Sequence, residues 1–100
     1  MSARFVVMLD SAPASLQNAI TERMKATGYG FWKWIENAWL VDTTHAQLSA
    51  KAFSEWLRQT PGFGPKQVHL VLRVDDGSGD YHGHANQLGW PWMEKYWKGR

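Results

Sequence analysis

One hundred residues supply one hydrophobic core and are too few for two, so the chain forms a single domain. With 44% hydrophobic and 20% charged residues a disordered chain is excluded, and a net charge of +2 is too small to demand a long phosphate backbone as partner. The absence of cysteine excludes disulfides, thiolate zinc sites and cysteine nucleophiles.

The chain begins MSARFVVMLDSAP, with one arginine and an apolar run of about five residues. That is too short for a signal peptide's apolar region or a membrane span, so a cytoplasmic protein without membrane contact is expected. The run itself, Phe5 to Leu9, lacks polar alternation and predicts a central strand with both faces at least partly covered. Asp10-Ser11-Ala12-Pro13 breaks the strand, and Ser11 followed by Pro13 suits the start of a helix. Leu16, Ile20 and Met24 then form one apolar stripe, opposite Gln17, Glu22, Arg23 and Lys25, until Gly28 ends the helix.

Residues 31–44, FWKWIENAWLVDTT, read as a hairpin turning at Glu36-Asn37. That turn sets Trp34 opposite Trp39 and Trp32 opposite Val41, with Lys33, Ile35, Ala38 and Leu40 on the other face. Three indoles on one face require cover, with the helices as the expected source and the stacking of nucleic-acid bases on an open sheet face as the alternative. Thr44 with Gln47 matches a capping box, and Leu48, Ala52, Phe53, Trp56 and Leu57 mark a second amphipathic helix to about residue 59. After the Pro- and Gly-rich stretch 60–65, residues 66–75 alternate: Val68, Leu70, Leu72 and Val74 on one face, Gln67, His69, Val71 and Arg73 on the other. This predicts a strand with its aliphatic side buried.

The order β-α-β-β-α-β, with short right-handed connections, predicts an α+β protein of ferredoxin-like type: a four-stranded antiparallel sheet in the order 4-1-3-2 with two helices on one face. Residues 1–77 hold this unit, and 78–100 form a loop and a C-terminal docking segment of the same domain. In that segment Trp90 to Trp97 predicts a short helix with Pro91 in its first turn. Trp90, Met93 and Trp97 share one side and Trp92 and Tyr96 the next, so the helix must dock on its own domain or on a neighbour's.

Several residue sets could carry chemistry. Asp10, at the end of the first strand, could meet its symmetry mate in a dimer and hold a divalent cation, though a single Asp before Ser-Ala-Pro also serves simply as a cap. His82-Gly83-His84 would place two imidazoles on one side of a strand, near Asp75, Asp76 and Asp80, as metal ligands; the plainer alternative is a polar loop. For a nucleic acid or protein partner the available groups are Lys33 and Arg73 in the sheet and Trp90, Trp92, Tyr96, Trp97 and Lys98 in the tail. The strand AWLVDT lacks the basic-Gly-aromatic signature of RNA-recognition motifs. No phosphate-binding Gly-rich loop, nucleophile elbow or HExxH is present, and His45 and His69 have no carboxylate at helical or strand-pair spacing.

FVVMLD, a strand ending in Asp, followed about thirty residues later by the tryptophan strand NAWLVDT, resembles the SinR-like family of small bacterial and phage proteins. That family is similar to the CRISPR-associated spacer-acquisition scaffold and to VapD-type ribonucleases. The resemblance spans residues 4–75 and implies a ferredoxin-like homodimer with a metal-binding role for Asp10. Met8 stands where those families place a tyrosine, and the Trp-rich tail has no counterpart. The resulting expectation is a small dimeric binding module acting on nucleic acid or a protein partner without catalysis and without a cofactor. Two alternatives stand beside it: a metal-dependent ribonuclease centred on Asp10, with a divalent ion, and a phage or host-defence inhibitor that binds protein through its tail.

Overall fold

A computed structural model describes residues 3–43, 47–74 and 89–96, with side chains in the last group at 91–95. The chain is α+β, with strands β1 (Arg4–Leu9), β2 (Gly30–Ile35), β3 (Ala38–Asp42) and β4 (His69–Arg73) and helices α1 (Ala14–Thr27), α2 (Ala50–Arg58) and α3 (Gly89–Tyr96). Strand pairs are antiparallel and the sheet order is β2-β3-β1-β4, so β1 and β3 lie inside.

Register assigns the faces. Phe5 pairs with Val41 and Arg73, Val7 with Trp39 and Val71, and Leu9 with His69. Phe5, Val7, Leu9, Trp39 and Val41 are buried in one cluster with Leu16, Ile20 and Met24 of α1 and Phe53 and Leu57 of α2. Both helices therefore close the same side of the sheet. Phe53 stacks on Phe5 with ring centroids 4.7 Å apart, and Tyr29 and Trp56 extend the aromatic contact.

The helices start differently from one another. Pro13 precedes α1 without a side-chain cap, and Gly28 closes it in the left-handed region at φ 85°, where a side chain would be strained. Ser11 is not a cap but a turn residue at φ 51°. In α2 the cap is Ser49, whose hydroxyl accepts the Ala52 N–H at 3.0 Å. The Thr44–Gln47 pattern thus does not open this helix, and Thr44 itself lies outside the described residues.

Two polar clasps fix α1. Gln17, buried, donates to the Ala12 carbonyl at 2.9 Å and accepts the Asn37 N–H at 3.0 Å, while the Asn37 side-chain oxygen accepts the Ala12 N–H at 2.8 Å. Arg23 lies 4.0 Å over the Trp56 ring and donates to the Thr60 hydroxyl at 2.7 Å, joining α1 to the end of α2. Burial lowers the Arg23 pKa and raises that of Tyr29, and the charge interaction between the two partly offsets each shift.

The hairpin corrects the expected pairing. Ile35 pairs with Ala38 around the Glu36-Asn37 turn, but Trp32 pairs with Leu40 and Phe31 with Val41. Two residues of β2, Lys33 and Trp34, therefore stand against Trp39 alone, a β-bulge. The bulge moves Trp32 to the row of Leu40 and puts Phe31 against the core, so the three tryptophans do not share a face. Only Trp39 joins the buried cluster.

Candidate functional site

The sheet has a second side, turned away from α1 and α2, and its composition follows from the same register. One row crosses all four strands as Ile35, Ala38, Met8 and Leu70; the next is Trp32, Leu40, Val6 and Leu72. Beyond them Gly30, Asp42 and Arg4 form a third row. Asp42 and Arg4 are buried, so this end of the face is covered. Helix α3 packs on β2, and its Met93 is buried outside the cluster beneath α1 and α2. We place α3 on this second side for that reason.

The other end is open. Met8 is 37% exposed, Ile35 63%, Leu70 50% and Leu72 44%, and Val68, just before β4, is 63% exposed. Isolated exposed aliphatics are ordinary, but five large ones on one sheet face are not.

The alternation of β4 is thus as its sequence reads, with the opposite side inward. Its aliphatic side faces water, and the side bearing Gln67, His69, Val71 and Arg73 turns to the helices. The inward orientation is tolerated because each polar group finds a partner. Gln67 donates to the Asp10 carbonyl at 2.9 Å, His69 is hydrogen-bonded to the Ser54 hydroxyl at 2.6 Å, and Arg73 donates to the Leu48 carbonyl at 3.0 Å. With Phe5, Val7 and Leu9 committed to the core, pairing leaves β4 no other phase. For β1 the expectation of a central strand with both faces at least partly covered holds: the core side is closed, and on the other side Arg4 is buried, Val6 half-buried and Met8 the most exposed.

The remaining expected site residues do not converge. Asp10 is exposed, its carboxylate accepts the Ser11 hydroxyl at 3.2 Å and its N–H donates to the Val68 carbonyl at 3.0 Å, which is the geometry of a turn. Among the described residues no group of three His, Cys, Asp or Glu is placed to hold a metal ion. Lys33, on β2, reaches to 5.8 Å from the Trp39 ring of β3, whereas Arg73 sits on β4 at the opposite edge, so the two cations form no common track. Trp92 is half-buried on α3. His82, His84, Trp97 and Lys98, the aspartates at 75, 76 and 80, and the side chains of Trp90 and Tyr96 lie outside the described residues.

Sequence reasoning missed the Ser54–His69 pair, which joins α2 to β4 across the Pro- and Gly-rich stretch. A serine on a histidine is the nucleophile–base pair that a third, orienting group completes in hydrolytic sites. Here the imidazole also meets the edge of Phe63, with centroids 5.1 Å apart, and among the described residues it has no second polar partner to orient it. The pair acts as a clasp between helix and strand. Among the described residues no helix is long and apolar enough to cross a membrane. The chain matches no family model, no curated protein and no solved structure.

Proposed function

We propose that this chain is a small ferredoxin-like binding module that works by contact with another protein chain, without catalysis of its own. The strand order read from the β4 edge, 4-1-3-2, and the placement of α1 and α2 on one side support the ferredoxin-like reading. The observation that carries the function is the open aliphatic patch at Met8, Ile35, Val68, Leu70 and Leu72. A patch of this kind favours protein over nucleic acid. Bases are gripped by exposed aromatic rings and phosphates by cations, and neither type is among these five.

The test is fluorescence anisotropy with labelled single- and double-stranded DNA and RNA at low salt, with and without magnesium or manganese. No binding and no cleavage is the expected outcome, for the native chain and for Asp10→Asn alike. Salt-dependent binding would move the reading to nucleic acid. Metal-dependent cleavage that disappears in Asp10→Asn would establish the ribonuclease instead.

A further inference from the structure

We infer that the partner on the open sheet face is a second copy of this chain, with the same aliphatic rows of the two protomers packed against each other across a two-fold axis. The inference rests on the protein-binding reading above and names its partner.

Area is the first support. At their observed exposures Met8, Ile35, Val68, Leu70 and Leu72 leave on the order of 500 Å² in water, as large as the largest patches on ordinary monomers. A stable interface takes about 800 Å² from each partner. The five side chains supply more than half of that.

Charge is the second support. A two-fold contact places a surface against itself, so any charge near the axis meets its own kind. The two central rows contain none, reading Ile, Ala, Met, Leu and Trp, Leu, Val, Leu, and the exposed Asp10 beside Val68 stands at the rim of the patch. Shape points the same way. Ala38 lies between Ile35 and Met8, a low point among large side chains that can receive an aliphatic group from the opposing copy.

Sedimentation velocity on the full chain, from micromolar to a few hundred micromolar, reads the assembly directly. The expected species is twice the 11.5 kDa chain mass, and Met8→Glu with Leu70→Glu should convert it to a monomer of unchanged far-ultraviolet circular dichroism. Lys51→Glu, on the exposed side of α2, should leave the dimer intact. A monomer throughout the range overturns the inference while leaving a different protein partner possible. A dimer that survives both glutamates also overturns it, since the contact is then elsewhere.

Should the double variant fail to fold, a spin label decides. The chain has no cysteine, so Leu72→Cys labels one site alone. Packed sheets lie about 10 Å apart. Strong dipolar coupling between labels, lost on dilution with unlabelled chain, is expected; its absence in a dimeric sample rejects the face-to-face contact.

Discussion

Trp39→Ala should lower the stability of the fold by about 3–5 kcal/mol. The indole is fully buried opposite Val7, within the cluster shared by β1, α1 and α2. Its N–H donates to the Thr21 hydroxyl at 3.2 Å, so truncation both opens a cavity and removes a hydrogen bond between sheet and helix. A domain of this size has total stability of about 5–15 kcal/mol, and the variant therefore stands near the edge of unfolding. Urea denaturation followed by far-ultraviolet circular dichroism gives the number without relying on fluorescence from the other six tryptophans. Trp39→Phe keeps a ring and should lose less. A loss below about 1 kcal/mol for the alanine variant would show that Trp39 is not in the core.

Gln17→Leu is the second large effect, and its cause is polar. The side chain closes a ring of three hydrogen bonds among Ala12, Gln17 and Asn37, in a place where water has little access. Leucine matches the volume but leaves the Asn37 N–H and the Ala12 carbonyl without this partner, for an expected loss of about 2–4 kcal/mol. The ring also holds the hairpin turn against the start of α1. Asn37 sits at φ 66°, a conformation that asparagine tolerates better than most residues, and its carbonyl accepts the Leu9 N–H at 2.8 Å. Amide hydrogen exchange should therefore accelerate at Leu9 and Asn37 before it does in β4. Unchanged stability in Gln17→Leu would mean the ring contributes nothing net.

These two residues mark what the sequence could and could not disclose. The apolar stripe of Leu16, Ile20 and Met24 and the stop at Gly28 are local signals, and α1 follows them. Gln17 looked like part of that helix's wet side, because nothing local announces a partner twenty residues away on a hairpin turn. The turn at Glu36-Asn37 was legible from its polar break, but the bulge was not. An extra residue in β2 leaves the turn sequence unchanged while shifting every pairing beyond it. For β4 the period-two pattern was plain, and its orientation ran opposite to the usual rule. Orientation is decided by register with β1 and by the partners that Ser54 and the Leu48 carbonyl offer to His69 and Arg73. That inversion is what leaves the aliphatic face open. That the cleaner apolar side of a strand points outward is visible only once its neighbours are known.

The proposal that this face is covered in the working protein can be read most directly at Met8. Among the described methionines Met24 and Met93 are buried, and Met8 alone is exposed in the isolated chain. Peroxide oxidation, quantified by peptide mass, should proceed slowly at Met8 at high protein concentration and speed up on dilution or in Leu70→Glu. Oxidation of Met8 at the rate of a solvent-exposed methionine at every concentration, unaltered by Leu70→Glu, would contradict the account.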